Sequence, residues 1–281
     1  MPRNERKVIK TVQGHRTVGG AGVNLVRVLG PTNVEDFDPF LMLDSFDSTN
    51  PDDYVRGFPM HPHRGIETIT YLIEGEIEHE DSLGNKGVIR SGESQWMTAG
   101  SGILHQEMPK ASPRMLGLQI WLNLQQTQKM TPPAYFDISR DMVKIKEEDF
   151  GIVRIISGQY KDVRGIQLPH WHATMYDISL NAGNEAVLPT KADENVFVFL
   201  ILGDAEIAGQ SYSEKTAILF GSGDSICLKA NQDCRFFFFS GEQIREPIAW
   251  GGPIVMNTRQ EIQTAFSELD RGTFIKHNAV S

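Results

Sequence analysis

The amino-acid sequence predicts an all-β fold made of two related β domains and one short C-terminal helix. Apolar runs of strand length recur along the chain, rich in β-branched and aromatic residues and separated by Gly, Pro, Asn and Asp. A strand–turn–strand pattern occurs twice, and helical periodicity is confined largely to the end of the chain. This spacing of strands and turns is typical of a sandwich or a barrel.

The predicted strands, in chain order, are NLVRVL, ETITYLI, GLQIWLNL, GIVRIIS, ATMYDISL, VFVFLIL, TAILF and RFFFFS. After them, the stretch TRQEIQTAFSEL has the period of an amphipathic helix, with an apolar stripe formed by Ile262, Ala265, Phe266 and Leu269. Thr258 is in position to cap this helix, and Glu261 is in position to complete a capping box.

The internal repeat indicates a duplicated domain. The stretch TITYLIEGEIEHEDSLGNKGVIRSGESQWM resembles FVFLILGDAEIAGQSYSEKTAILFGSGDSICL, about 130 residues further on. Both read as a strand, a Gly-acid pair, a polar turn, a second strand and a Gly-acid-Ser turn. We therefore expect domains at residues 1–140 and 141–281, with the charged stretch DMVKIKEEDF as the linker.

The composition excludes several classes of protein. The 281 residues carry a formal net charge of -9 with scattered Lys and Arg, which weighs against direct binding of nucleic acid. The N-terminus has no apolar signal region, and the longest apolar run is far too short to span a membrane. We expect a cytoplasmic protein (or a nuclear one, if the source is eukaryotic) and a monomer, because a second domain can cover the hydrophobic edges of the first.

Two short motifs carry chemistry. His61 and His63 lie two residues apart, and His105 and Glu107 repeat this spacing after an intervening hairpin. Alternate residues of a strand face the same side, so the four side chains can converge inside the domain. Three imidazoles and a carboxylate suit iron, manganese, nickel, copper or zinc with a coordination position left open, and the absence of thiolate argues against a closed structural zinc site.

The second copy of the repeat serves as an internal control. Aligned on its Gly-acid turns, it places Pro189 and Lys191 opposite the two histidines of the first motif. It places Phe236 and Phe238 opposite His105 and Glu107. The four candidate ligands are thus lost together, which favours a shared role over four separate structural roles.

These segments resemble the pirin family of the cupin superfamily. The resemblance rests on HPHRGIETITYLIEGEIEHED and SGESQWMTAGSGILHQEMP, and extends to DPFLMLDSF and REPIAWGGPIVMNT. It implies two jelly-roll-like β-barrels packed face to face, with the C-terminal segment returning to the first. It also implies one mononuclear metal, usually Fe(II), held at the positions matching His61, His63, His105 and Glu107.

The resemblance implies two classes of function. Several members have quercetin 2,3-dioxygenase activity, which opens a flavonol with dioxygen and releases carbon monoxide. For this reaction we expect Glu107 to act both as a metal ligand and as the base. Others are described as cofactors of transcription regulators or as partners of metabolic enzymes, so the alternative is an iron-binding, redox-responsive adaptor with a protein partner. Quercetin turnover as an incidental capacity of an open iron site is a third interpretation.

Five other polar positions have competing interpretations. Glu67 would share the face of His63 in a regular strand, as a ligand or, in preference, as a hydrogen-bond partner of a histidine. Arg64 can orient a substrate or pair with Glu67. His79 is predicted to be a surface residue. His170 and His172 repeat the two-residue spacing without a second pair, which favours structural or surface roles.

Overall fold

The computed structural model describes residues 4–170 and 173–277, and this part of the chain is mostly β-structure, as the sequence predicts. The strands are β1 (Val8–Gln13), β2 (His15–Gly19), β3 (Val23–Leu29), β4 (Phe40–Ser48), β5 (Phe58–His63), β6 (Ile66–Glu74), β7 (Glu76–Asp81), β8 (Lys86–Arg90), β9 (Ser94–Thr98), β10 (Ile103–Pro109), β11 (Met115–Asn123), β12 (Ala134–Ile138), β13 (Lys144–Glu148), β14 (Gly151–Ser157), β15 (Gln159–Tyr160), β16 (Val163–Arg164), β17 (Thr174–Leu180), β18 (Glu185–Pro189), β19 (Glu194–Leu202), β20 (Ala205–Ile207), β21 (Gln210–Tyr212), β22 (Thr216–Phe220), β23 (Ser225–Lys229), β24 (Cys234–Glu242), β25 (Ala249–Gly251) and β26 (Ile254–Met256).

The α-helices of the described residues are α1 (Val34–Phe37) and α2 (Arg259–Asp270). The predicted capping box of α2 is confirmed. The Glu261 amide donates to the Thr258 hydroxyl at 3.2 Å, and the Glu261 carboxylate accepts from the Thr258 amide at 2.8 Å. Within the described chain, neither helix is long and apolar enough to cross a membrane.

The chain folds into two compact units, each assembled from separate segments. The histidine unit consists of Arg16–Val34, Pro39–Arg140 and Ile244–Ser281. The phenylalanine unit consists of Met1–His15, Glu35–Asp38 and Asp141–Gln243. Strand β1 belongs to the second of these because it pairs with β22, whereas a single cut after residue 140 would place it in the first.

Each unit contains a seven-stranded and a four-stranded sheet. In the histidine unit the orders are β12-β9-β6-β11-β4-β3-β2 and β5-β10-β7-β8. In the phenylalanine unit they are β1-β22-β19-β24-β17-β14-β13 and β18-β23-β20-β21. The jelly-roll-like architecture is confirmed. Over residues 4–170 and 173–277 no pairing between the strands given above joins the two sheets of a unit, so the β-barrel of each unit is not closed.

The charged stretch expected to be a linker contains strand β13, which pairs with β14 at the edge of its sheet. The charges of KIKEE suit this position, because charged side chains on an edge strand discourage pairing with another chain. The interpretation as a linker is therefore wrong for residues 144–148.

The strand orders correct one step of the repeat alignment. Strands β5 and β10 correspond to β18 and β23, since both four-stranded sheets have the same order. Phe236 and Phe238 lie on β24, which corresponds to β11, so they do not replace His105 and Glu107. The alignment slipped by one strand because β20 and β21 have three residues each, whereas β7 and β8 have six and five.

On the corresponding strands of the phenylalanine unit, the four candidate ligands have no inward-facing polar counterparts. The inward residues of the two corresponding strands are aliphatic and belong to the core of the phenylalanine unit: Ala186, Leu188, Ile226 and Leu228. The interior of this unit is filled by apolar side chains at the positions where the histidine unit carries polar ones. A metal site in the histidine unit therefore has no counterpart on these two strands.

Candidate metal centre

Strands β5 and β10 bring the two sequence motifs together. They pair antiparallel, with His105 opposite His61 and Ile103 opposite His63. Along β10 the buried residues alternate with half-buried ones, so that His105 and Glu107 both point into the unit. The two-residue spacing that the sequence shows is thus the spacing of one face of a strand.

The three histidines form one cluster. Their candidate ligand atoms all lie within 4.8 Å of one another. The Nε2 atoms of His61 and His63 are 3.1 Å apart. The Nδ1 atom of His61 lies 2.9 Å from the Pro59 carbonyl oxygen, and that of His63 lies 2.9 Å from the Pro253 carbonyl oxygen.

These contacts define the tautomers of the two rings. A carbonyl oxygen only accepts hydrogen bonds, so each Nδ1 carries the proton and donates it. Two neutral rings held in this way would face each other with Nε2 lone pairs, an arrangement that is repulsive unless a cation, either a proton or a metal ion, lies between them. The donor set therefore fits a metal ion bound through Nε2 of His61 and His63.

His105 supplies a second observation of the same kind. It is 1% exposed, and neither ring nitrogen has a hydrogen-bond partner among the described residues. Burial and the neighbouring His63, His61 and His79 hold its pKa well below the usual value for histidine. Burial together with His61 lowers the pKa of His63 to about 3. Both rings are neutral at physiological pH, which is the form that binds a metal.

Glu107 lies outside this cluster of ligand atoms. Its Oε1 accepts a hydrogen bond from the Thr70 hydroxyl at 2.9 Å, and its Oε2 accepts one from the Gln119 side-chain amide at 2.7 Å. The carboxylate thus reaches across to strands β6 and β11 of the facing sheet. Each oxygen retains a second lone pair, so the carboxylate can still bind a metal. Its role as the fourth ligand stays a prediction.

Among the described residues, Glu67 makes no hydrogen bond to a histidine. Its Oε1 accepts from the Thr98 hydroxyl at 2.8 Å, on the face of β6 opposite to Thr70 and Glu107. Gly65, with a φ of +77°, turns the chain between β5 and β6, so the alternation counted from His63 does not continue to Glu67. Burial raises the pKa of Glu67 to about 7.

Arg64 has a different role from either one expected. Its side chain is buried and donates to the Ser101 carbonyl at 2.7 Å, to the Glu268 carboxylate at 2.7 Å and to the Phe274 carbonyl at 3.0 Å. It pairs with Glu268 and not with Glu67. The residue that follows His63 is thereby joined to helix α2 and the segment after it.

His79 is the residue that sequence reasoning missed. It is 2% exposed, stacks on Tyr135 with ring centroids 4.5 Å apart, and its centroid is 5.3 Å from that of His105. Its Nε2 lies 3.4 Å from Asp81. The prediction of a surface position is wrong. The alternation of Ile77, His79 and Asp81 along β7 is the signal in the sequence that indicates an inward face.

His170 is half-buried, and His172 lies outside the described residues.

A cleft of about 760 Å³ opens beside the cluster. Its lining includes His61, His63, Gln119, Trp121, Trp250 and Pro253. Trp121 and Trp250 stack with ring centroids 5.8 Å apart, and Trp121 meets His63 edge-on at 5.0 Å. The cleft therefore offers an aromatic wall next to the histidines.

The hairpin of β25 and β26 contributes to both features. It carries Trp250, and Pro253 lies at its turn. Lys129 is almost fully buried and donates to the carbonyls of Gly65 and Val255, each at 2.9 Å, and to the Asn123 side chain. This ammonium joins the turn after β5 to β26, which keeps the hairpin beside the histidines.

Comparisons with known proteins agree with this architecture. The family profile described as Pirin matches residues 22–122, and that of the Pirin C-terminal cupin domain matches residues 175–275. A pirin-like protein of Caulobacter vibrioides is 40% identical, over 96% of this chain and 99% of its own. Human Pirin is 35% identical, over 93% and 91%. The crystal structure of quercetin 2,3-dioxygenase from Acinetobacter baumannii superposes with a TM-score of 0.88 at 30% identity, covering 96% of this chain and 98% of that one.

Proposed function

The chain belongs to the pirin family of cupin proteins, and on this premise we propose that it is an iron-dependent dioxygenase. Its substrate would be a flavonol or a similar enolisable aromatic compound. The reaction opens the flavonol ring with dioxygen and releases carbon monoxide. The similar structure from Acinetobacter baumannii bears the name of this activity, which supports the proposal.

The observation that carries the proposal is the close approach of the Nε2 atoms of His61 and His63. Their Nε2 atoms lie 3.1 Å apart while both Nδ1 protons are donated to main-chain carbonyls. With His105, whose ring nitrogens have no hydrogen-bond partner among the described residues, they form a three-imidazole set beside an open cleft. A catalytic metal needs this combination of firm protein ligands and an open position.

His61, His63 and His105 would hold the metal, with Glu107 as the proposed fourth ligand. Fe(II) is the proposed ion, and Zn, Mn, Ni and Cu also suit imidazole and carboxylate donors. When bound, the ion supplies Lewis acidity that lowers the pKa of a substrate hydroxyl, and it supports reaction with dioxygen.

The cleft accounts for the class of substrate. Its volume of about 760 Å³ falls in the range of small-molecule sites. The indole rings of Trp121 and Trp250 offer flat apolar faces on which the fused rings of a flavonol can stack. The apolar wall also excludes water from the reacting atoms, which limits side reactions.

Glu107 would take the proton of the substrate's 3-hydroxyl. Its carboxylate accepts from Thr70 and Gln119 and has lone pairs left for a further hydrogen bond. General-base action requires the carboxylate to come within hydrogen-bond reach of that hydroxyl. The deprotonated substrate is then electron-rich enough to react with dioxygen.

The proposal is tested by adding quercetin to protein reconstituted with iron and following dioxygen uptake and carbon monoxide release together. We expect equimolar uptake and release in the wild type, and loss of both in His105→Ala. His170→Ala removes a half-buried histidine of the phenylalanine unit and is the matched control, with wild-type rates. A wild-type protein that holds one iron and shows no turnover would rule out the quercetinase assignment.

A redox-responsive adaptor is the second candidate, and one set of contacts favours it. His63 bonds to Pro253, and the neighbouring Arg64 bonds to Glu268 and Phe274, so a shift of the ligand strand would reach the C-terminal segment. Hydrogen exchange of residues 244–277 should then differ between the Fe(II) and Fe(III) forms. Identical exchange in the two forms would remove the structural basis for the adaptor.

The cytoplasmic location and the monomeric state stay predictions.

A further inference from the structure

We propose that Gln119 is a positioning residue that presents the Glu107 carboxylate to the metal, and that Trp121 sets the orientation of the Gln119 amide. This inference rests on the proposed metal site, and it adds residues that the sequence motifs do not contain. It concerns strand β11, which belongs to the seven-stranded sheet facing β10.

The side chains of Glu107, Gln119 and Thr70 form a closed ring of hydrogen bonds. The Gln119 Nε2 donates to Glu107 Oε2 at 2.7 Å and to the Thr70 hydroxyl at 3.0 Å. The Thr70 hydroxyl donates to Glu107 Oε1 at 2.9 Å. Hydrogen bonds donated by residues of the facing sheet thus hold both carboxylate oxygens. These bonds determine the direction in which the remaining lone pairs of the carboxylate point.

Trp121 determines which end of the Gln119 amide faces Glu107. The indole N–H can only donate, and it lies 3.2 Å from Gln119 Oε1. With the oxygen of the amide directed to Trp121, the NH₂ group is directed to Glu107. A flipped amide would set its oxygen against a carboxylate oxygen and its NH₂ against the indole N–H, and both contacts are repulsive.

Gln119 also connects the carboxylate to the cleft, because it contacts Glu107 and is part of the lining. Gln119 and Trp121 both line the cleft, and Trp121 meets the His63 ring at 5.0 Å. A ligand that displaces Trp121 would therefore act on Glu107 through one side-chain amide. Because partners of this kind orient a metal-binding group, their loss usually weakens metal binding by about 10- to 100-fold.

The test measures affinity for Fe(II) under anaerobic conditions, by competition with a chromophoric chelator. We expect Gln119→Leu to raise the Kd by about 10-fold or more. Gln95→Leu is the matched control, because Gln95 is also a buried glutamine of the same sheet and its amide donates to the Tyr135 hydroxyl. The control should leave the Kd unchanged.

A double-mutant cycle separates positioning from a general structural effect. If Gln119 acts through Glu107, Gln119→Leu should have no further effect on the Kd in a Glu107→Ala background. A structural role would weaken metal binding equally in both backgrounds. Trp121→Phe, which keeps the ring and removes the N–H, should raise the Kd by less than Gln119→Leu.

The outcomes are distinguishable. An unchanged or tighter Kd in Gln119→Leu, with a wild type that binds Fe(II), would overturn this inference and leave the metal site intact. An effect of equal size in the Glu107→Ala background would overturn it as well. A wild-type protein that binds no Fe(II) would overturn the metal site and this inference together.

Discussion

Arg64 and Glu268 form an ion pair of 2.7 Å between the residue after His63 and helix α2. The Arg64 side chain is 3% exposed, and its guanidinium also lies 4.2 Å from the centroid of Phe274. A buried cation of this kind depends on its partners, because an uncompensated charge in the interior is strongly destabilising. The pair therefore contributes to holding the C-terminal segment next to the histidine cluster.

We expect Glu268→Gln to lower the free energy of unfolding by about 2 kcal/mol, the usual size of a hydrogen bond to a charged group. Chemical denaturation measures it. Lys276→Gln is the matched control, because Lys276 pairs with the same carboxylate at 2.8 Å but is one-third exposed. That change should cost less than about 1 kcal/mol. Equal costs for the two variants would contradict the role given to Arg64.

Metal binding should stabilise the folded protein. At a free Fe(II) concentration of about 100 times the Kd, the free energy of unfolding should rise by about 2.7 kcal/mol. Because His63 and His105 would be ligands, alanine at either position should abolish this increase, whereas His170→Ala should keep it. Anaerobic thermal unfolding with and without Fe(II) measures the effect. An increase that persists in His105→Ala would place the metal elsewhere.

Glu67 predicts a dependence of stability on pH. Burial raises its pKa from 4.5 to about 7, so between these values the folded state binds more protons than the unfolded state. Stability from this group is therefore present at low pH and is lost as the pH rises towards 7.

The isosteric change Glu67→Gln should remove this loss. At pH 8 the variant should be more stable than the wild type by up to about 3 kcal/mol, the equivalent of the shift in pKa. At pH 4 the two proteins should unfold alike, because Glu67 is then protonated in both states. Urea unfolding at the two pH values compares them, and an equal difference at both would refute the explanation.

Trp250 should contribute to flavonol binding by stacking. We expect Trp250→Leu to weaken quercetin binding by about 10-fold, equivalent to about 1.4 kcal/mol, and Trp250→Phe to retain most of the affinity. Equilibrium dialysis measures binding without turnover. Phe136→Leu changes an exposed aromatic residue of β12, outside the lining of the cleft, and should leave the affinity unchanged.

Much of the site could be predicted because it depends on local periodicity. The pairs His61–His63 and His105–Glu107 each occupy one face of a strand, and the two strands pair with each other although four strands, β6 to β9, lie between them in the chain. The capping box of α2 is local as well. The family resemblance, which rests on the same motifs, is confirmed.

What could not be predicted depends on contacts between distant segments. Glu67 changed face because Gly65 turns the chain, and a count of residues cannot include such a turn. Arg64 finds Glu268 more than 200 residues away. The repeat was aligned one strand out of step because glycine turns occur between several pairs of strands and do not identify which pair they join. His79 was assigned to the surface on the charge of its neighbours, although the alternation along β7 points inward.

The hydrogen bond from His63 to Pro253 spans 190 residues, and this separation has a consequence for biosynthesis. A nascent chain on the ribosome exposes both histidines of β5 long before the carbonyl that selects the His63 tautomer has been synthesised. The histidine cluster therefore reaches this arrangement only after Pro253 has been synthesised, and a metal bound there would be acquired after that point. Truncated products that end before the hairpin of β25 and β26 would lack this selection, so they would compete poorly for the metal pool of the cell.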